Sequence, residues 1–229
     1  MTKKEKRERL SKISASLEKI YPLAPCALEY EGDGWRLLVM SRLSAQCTDA
    51  RVNEVSRTLF ARYKNCSELA CADISEVEEI IKPCGLFRMK AKNIVEASRQ
   101  LCENFGGEIP RTMDELLSLD GVGRKIANLL LGDLYGLPAV VCDTHCIRIC
   151  GRLGMYPEAL KNPDRVEKIL RELLDLSRGS DFCHRIVIFG REVCTARSPK
   201  CDSCPISQLC EKYLRRLSKE RVKDEKAEN

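Results

Sequence analysis

Four cysteines near the end of the chain, Cys194, Cys201, Cys204 and Cys210, follow the spacing C-x6-C-x2-C-x5-C. The loops between them are too short to build a hydrophobic core of their own, so a metal centre is what would give this segment a shape. A structural zinc site usually pairs two short C-x2-4-C knuckles across a longer gap. Here only Cys201 and Cys204 form such a knuckle, and the other two cysteines are strung along the same compact segment. That uneven run suits a cubane whose irons each take one cysteine. The spacing favours a [4Fe–4S] cluster over a zinc site, and either over a metal-free cluster of thiols.

The chain has 229 residues, enough for one large domain or two smaller ones with real cores. It is 32% charged and 5% aromatic, which points to a soluble, helical protein. A net charge of +5 permits a polyanionic partner without requiring one. No apolar stretch is long enough to span a bilayer. The first residues, Met1 to Arg9, lack the apolar core of a secretory signal, so the expected location is intracellular. Fourteen cysteines is many for such a chain. Those outside the four-cysteine segment are expected to be free thiols packed as small apolar groups. A thiol-rich chain of this kind suits a host with little exposure to oxygen.

Apolar spacing is helical nearly everywhere. Residues 5–20 carry Leu10, Ile13, Leu17 and Ile20 on one face, and Pro22 and Pro25 close that helix. Residues 35–46 read as a buried helix, because the period of Trp35, Leu37, Leu38 and Val39 continues through Leu43. Ser75 with Glu78 and Thr112 with Glu115 have the spacing of capping boxes. Asn162 followed by Pro163 starts a helix carrying Val166, Ile169, Leu170 and Leu173. Breaks at Gly106-Gly107 and Gly136-Leu137-Pro138 separate helices, and no run alternates like a strand. The expected fold class is all-α, with about ten helices. From about Arg215 to Asn229 the chain is charged and nearly devoid of apolar residues, which reads as a frayed, solvated tail.

Residues 119–132 read Leu-Asp-Gly-Val-Gly-Arg-Lys-Ile-Ala-Asn-Leu-Leu-Leu-Gly. One amphipathic helix (Leu116, Leu117, Leu119) passes to another (Ile126, Leu129, Leu130, Leu134) through Gly121-Val122-Gly123. Two glycines permit positive φ and let the backbone approach a ligand closely. The amides of the turn and of the next helix's N-terminus form a site for a phosphate oxygen, with Val122 tucked between the helices. Lys125 falls in the first turn of that second helix. A cation at the positive end of a helix is electrostatically disfavoured, which makes this an unusual place for a lysine and a candidate position for a nucleophilic amine. The competing reading is an ordinary solvated lysine. Further on, Asp143 stands between an apolar run and a helix carrying Ile147 and Ile149. It can be a helix N-cap, a proton carrier beside a lysine, or both.

Taken together, Leu43 to Asp49, the hairpin Leu119 to Asn128, Val141 to Arg148 and the four-cysteine loop resemble the bacterial endonuclease III family of helix-hairpin-helix DNA glycosylases. The resemblance runs from about residue 10 to 213. It implies two helical domains with a DNA cleft between them: a six-helix domain over 24–136 holding the hairpin, and a discontinuous [4Fe–4S] domain from 1–23 and 137–214, followed by a flexible tail over 215–229. It implies base excision repair on double-stranded DNA carrying damaged bases or abasic sites, by a monomer in the bacterial cytoplasm, associated with the nucleoid. The implied activity is that of a bifunctional DNA glycosylase and abasic-site lyase acting on oxidised pyrimidines. Lys125 would be the nucleophile and Asp143 its acid/base partner. Gln46 would fill the gap left by the flipped base, and Leu86 would wedge into the opposite strand. Gly121, Val122, Gly123, Arg148, Arg191, Arg197 and Lys200 would contact DNA, with Arg148 and Arg191 equally readable as structural ion-pair partners. Ser44, Asp49 and His145 match pocket or supporting positions, His145 in a structural role. The four cysteines would ligate the cluster.

Two residues depart from the family's usual pattern. Asp120 stands where a proline commonly precedes the hairpin glycines and adds negative charge near the phosphate site. Leu117 stands where a glutamate is usual, at a position tied to lesion recognition. Cys142, Cys146 and Cys150 form an i, i+4, i+8 stripe, readable as a second metal site and better as helix packing. An adenine-mismatch glycosylase of the MutY type would lack the lysine and carry a further C-terminal domain. A thymine-mismatch glycosylase and a non-catalytic iron–sulfur DNA-binding protein are the remaining alternatives, the intact Lys125/Asp143 pair speaking against the last.

Overall fold

The structure, a computed structural model, describes residues 1–227, with side chains through Arg221. Its described residues form twelve α-helices and three short 3-10 turns, with no strand. In chain order the helices are α1 (Lys3–Ile20), α2 (Gly34–Leu43), α3 (Asp49–Arg62), α4 (Cys66–Ala70), α5 (Ile74–Ile81), α6 (Phe87–Phe105), α7 (Met113–Leu117), α8 (Arg124–Tyr135), α9 (Thr144–Arg152), α10 (Pro163–Leu173), α11 (Gly179–Glu192) and α12 (Glu211–Ala227). The chain divides into two compact units, Cys26–Leu137 and Met1–Pro25 joined by the chain from Pro138 onward. None of the described helices is long and apolar enough to cross a membrane.

In the unit 26–137, α6 is the central element and packs on α4, α5 and α2, while α2 and α7 pack on α8. The apolar faces of α2 (Leu37, Leu38, Leu43) and α6 (Ile94, Leu101) are fully or almost fully buried. Burying such side chains contributes about 2 kcal/mol each. The one tryptophan, Trp35, is satisfied by donating its indole N–H to Ser98 Oγ at 3.0 Å, so its polar edge does not oppose burial.

In the other unit, α1 supplies Leu10, Ile13 and Leu17, each with no exposed surface, to a core with α10 and α11. Its C-terminal end is held by Arg185, whose Nε donates to the Tyr21 carbonyl at 3.0 Å. α1 is thus an integral part of a unit whose remaining residues lie more than a hundred positions later.

Three local expectations differ from the structure. The cap of α5 is Asp73, not Ser75: its carboxylate accepts the Ser75 N–H at 2.7 Å, and Ser75 lies inside the helix. A carboxylate at the positive helix end outcompetes a hydroxyl two residues on. At α7, Thr112 accepts the Glu115 N–H as expected, but Glu115 turns its carboxylate to the Thr112 hydroxyl at 2.6 Å. The chain beyond Arg215, read as a frayed tail, continues as helix α12 to Ala227. Glu211 pairs with Arg215 and Arg216 with Glu220, both at i, i+4, so the interleaved charges support a helix. The last two residues of that expected tail lie outside the described residues.

Candidate functional site

The hairpin joins α7 to α8. Gly121 adopts φ 73°, and a Cβ there would lie 2.8 Å from Arg42 Nε and 2.9 Å from Asn93, so only glycine fits. Gly123 differs from the sequence expectation: it is the N-cap of α8 at φ −101° and needs no special conformation. A Cβ on Gly123 would meet nothing within 4 Å, so the protein's own packing does not require a glycine there. Val122 is buried, 8% exposed, and its N–H donates to the Leu119 carbonyl at 3.1 Å. No side chain caps α8. An α-helix N-terminus of this kind, with the amides of its first turn directed outward along the axis, is the geometry that binds anions. Lys125 is the second residue of α8 and is exposed.

Asp120 does not present its charge to that turn. Its carboxylate accepts from Asn93 Nδ2 at 2.7 Å, while Asn93 Oδ1 accepts from Arg42 Nε at 3.0 Å. Its own N–H donates to Gln100 Oε1 at 2.8 Å. The added anion is turned inward onto an amide backed by a guanidinium. Leu117, the other departure, ends α7 and is 37% exposed.

Two further segments of the same unit carry residues in unusual conformations. Gln46 is exposed at φ 55°, and Leu86 is 48% exposed at φ 48°, ψ 29°. Non-glycine residues in the left-handed region are uncommon and cost on the order of 1–3 kcal/mol, so the surrounding structure must enforce them. Ser44 caps the C-terminus of α2 and donates to the Met40 carbonyl at 2.8 Å, and Asp49 opens α3.

In the other unit Asp143 is the N-cap of α9 and accepts the Cys146 N–H at 2.7 Å. It is half-buried, with its second oxygen not engaged in that cap. His145 lies 3.1 Å from Arg148 Nη2 through Nδ1. Arg148 points inward: the same Nη2 donates to the carbonyls of Gly190 at 3.3 Å and Cys194 at 3.1 Å. Burial holds its pKa below the usual arginine value. Arg191, Arg197 and Lys200, by contrast, are exposed.

Arg152, which the sequence reading passed over, is the residue that organises the cysteine loop. It is 8% exposed and donates to Cys194 Sγ at 3.3 Å, the Thr195 carbonyl at 2.7 Å and the Ala196 carbonyl at 2.8 Å. Its spacing from Arg148, one helical turn, was the available signal: both face the same loop.

Cys194, Cys201, Cys204 and Cys210 are all half-buried and line one cavity of ≈ 950 Å³, which Phe189 and Ile206 also line. Burial pushes the Cys204 and Cys210 thiols up, while N–H groups of Ile206 (to Cys204) and of Tyr213 and Lys212 (to Cys210) favour the thiolates. Among the described residues no three of these thiols lie within 4.8 Å of one another. A single tetrahedral zinc, with Zn–S about 2.3 Å, would draw its sulfurs closer together than that. A cluster with one cysteine per iron spreads them further. The donor set and the cavity therefore fit a cubane better than one ion.

The Cys142/Cys146/Cys150 stripe is buried and joined by Cys183 of α11. Hydrogen bonds from Cys146 to Cys142, Cys150 and Cys183, together with burial, push its thiol well up. No three of these thiols come within 4.8 Å of one another among the described residues, as a single bound ion would need, and their mutual hydrogen bonds in a buried patch fit helix packing.

Comparison with known proteins agrees with this geometry. Residues 39–175 match the HhH-GPD superfamily of base excision DNA repair proteins, and residues 194–210 match the iron–sulfur binding domain of endonuclease III. Endonuclease III of Synechocystis sp. is 44% identical over 206 residues, covering 90% of this chain and 93% of its own. That of Bacillus subtilis is 41% identical over 219 residues, covering 93% and 98%. The chain belongs to the endonuclease III family. Among solved structures, a non-covalent endonuclease III–DNA complex matches with TM-score 0.86 at 37% identity, covering 95% of this chain and 99% of that one. A trapped covalent endonuclease III–DNA intermediate matches with TM-score 0.85 at 38% identity. As a member of that family, the protein is a base excision repair DNA glycosylase and abasic-site lyase, its cofactor is an iron–sulfur cluster, [4Fe–4S], and its partner is DNA. The mismatch-glycosylase and non-catalytic readings are not favoured.

Proposed function

We propose that the protein excises oxidised pyrimidines from duplex DNA with Lys125 as nucleophile and Asp143 as its acid/base partner. The observation that carries this is the hairpin: an exposed lysine one residue inside a helix whose N-terminal amides have no side-chain cap, behind a turn that only glycine at 121 can make. Turn and amides hold a backbone phosphate, and Lys125 then reaches the sugar.

The target base is inaccessible inside the stack, so the nucleotide is flipped out, at lower cost where the base is damaged or poorly paired. Gln46 fills the gap and Leu86 enters the opposite strand. Their enforced backbone conformations and exposure suit that task. Lys125, as the neutral amine, attacks C1′ and the glycosidic C–N bond breaks, releasing the base. Asp143 takes the amine proton and stabilises the positive charge developing on the sugar. Opening of the sugar ring gives a protonated Schiff base, which acidifies the C2′ hydrogen. Its removal breaks the C3′–O bond and nicks the strand 3′ to the site.

Cys194, Cys201, Cys204 and Cys210 hold the cluster. Bound there, it supplies rigid cross-links to a loop with little core of its own, and Arg197 and Lys200 on that loop contact phosphates. Arg191 is an exposed candidate beside them, whereas Arg148 serves by shaping the loop from inside. We place the enzyme as a monomer acting on chromosomal DNA in the bacterial cytoplasm.

The test is borohydride trapping on a thymine-glycol duplex with the cluster intact. A covalent adduct with the wild type and none with Lys125→Ala is the expected result. Base release without any trapped adduct would exclude the Schiff-base route.

A further inference from the structure

The unit 26–137 contains a lysine with no exposed surface. Lys90, in the first turn of α6, is among the largest fully buried side chains of the described residues. A buried ammonium is costly unless its donors are satisfied, and burial pulls its pKa down. Here Nζ donates to the Leu43 carbonyl at 2.8 Å and to the Cys84 carbonyl at 2.8 Å.

Those two carbonyls occupy special places. Leu43 is the last residue of α2, and Cys84 is the last residue of the 3-10 turn Lys82–Cys84. Helix C-termini carry unpaired carbonyls and the negative end of the dipole, so one cation there is favourable twice. Gln46 follows three residues after Leu43, and Leu86 two residues after Cys84. These are two of the three non-glycine residues with positive φ among the described residues. Left-handed backbone of this kind persists only where neighbouring structure over-determines it. Thr48 and Asp49 start α3 on one side, and α6 itself starts at Phe87 on the other, so each strained residue is anchored beyond its loop. The anchor before each loop is the same ammonium.

We propose that Lys90 is a positioning residue that ties the Gln46 and Leu86 loops into one rigid wedge, so that gap filling and strand opening occur together. The proposal rests on the reading that Gln46 and Leu86 enter the DNA. Lys90 touches no substrate; it acts through the two backbone segments that present the residues that do. A methionine keeps the stem of the side chain and loses both hydrogen bonds. Its effect would fall on the duplex reaction, where an orphan base must be parted from the lesion, more than on a single strand, which has none.

The experiment uses the cluster-loaded protein and a duplex with a reduced abasic site opposite 2-aminopurine, whose fluorescence rises when the orphan base unstacks. Lys90→Met, Lys90→Arg, Gln46→Ala and Leu86→Ala are compared with wild type. Lys90→Met should lose most of the fluorescence rise, and its kcat/KM for abasic-site cleavage should fall at least ~10-fold further on duplex than on single-stranded DNA. Lys90→Arg, which keeps a charged donor, should recover part of the rise. If Gln46→Ala and Leu86→Ala are both silent, the DNA-reading role of the loops fails and the proposal falls with it. If either lowers the signal while Lys90→Met leaves it intact, or if Lys90→Met lowers duplex and single-strand cleavage equally, the tie alone is overturned. Hydrogen exchange on the unmodified protein is the check that needs no variant. Residues 44–47 and 84–87 should open with one rate, and rates differing by more than ~10-fold would overturn the tie.

Discussion

The proposed function puts both the hairpin at 119–124 and the cysteine loop at 194–210 on DNA, but they are held in shape by opposite means. The hairpin is set by covalent and steric facts within a well-packed unit: a left-handed glycine pressed against Arg42 and Asn93, a buried Val122, and two helices whose apolar faces need each other. The cysteine loop has little core. It is held by arginines reaching out of α9 to its carbonyls and by the cluster that its four thiols are spaced to bind. A region built from packing keeps its shape on its own; a region built from ligation depends on its cofactor. The enzyme combines a self-sufficient chemical element with a conditional one.

The sharpest way to break this contrast is to compare losses on each side. Lys125→Ala should abolish strand cleavage, by ~10⁴-fold or more, with both loops and the cluster unchanged. Gel-based cleavage beside the visible absorbance of the cluster checks this. Cys204→Ser should do the reverse. Cluster absorbance and the steep salt dependence of duplex binding should be lost together, with affinity falling ~100-fold, while far-UV circular dichroism retains most of its helix. A Cys204→Ser protein that binds DNA normally would remove the cofactor from the loop's role.

A smaller effect is expected at Arg152. Arg152→Met leaves three acceptors of the loop without their cation and should lower thermal stability by about 3 kcal/mol, or about 8 °C in Tm. Calorimetry checks this, and faster cluster loss on chelator challenge should accompany it. The smallest effect is expected on the hairpin side. Asp120→Ala unpairs Asn93 and should cost about 1 kcal/mol of stability, yet change duplex Kd less than ~3-fold, because the carboxylate is already turned onto Asn93. A large gain in affinity from Asp120→Ala would mean that its charge does reach the phosphate site.

Much of this was legible in the sequence because it rests on local chemistry. Cysteine spacing, the Gly-Val-Gly turn, the lysine one residue inside a helix and the aspartate before one are short-range patterns. The misses share a cause: a polar side chain whose role is decided by distant partners. Lys90 looks like any surface lysine, although the buried positions of α6 (Lys90, Ala91, Ile94, Val95, Ala97, Ser98, Leu101) place it in the apolar register. Arg152 is one of 39 basic residues, and its spacing one turn after Arg148 does not by itself say that it faces the carbonyls of a loop more than 40 positions away. The compensation of Asp120 by Asn93 and Arg42 joins the hairpin turn to two helices, α6 and α2, and is invisible in any one of these segments. The terminal segment misled for the converse reason: its mixed charges were read as solvation when their i, i+4 order supports a helix.

The left-handed backbone at Gln46 and Leu86 has a consequence for anyone engineering a hardier enzyme. A search for stabilising substitutions would rank glycine highly at both positions, since it would relieve about 1 kcal/mol of strain at each. The gain in melting temperature would be genuine, and it would delete the two side chains that the proposed function places in the DNA. Here a ranking by thermostability and a ranking by repair rate should run in opposite directions.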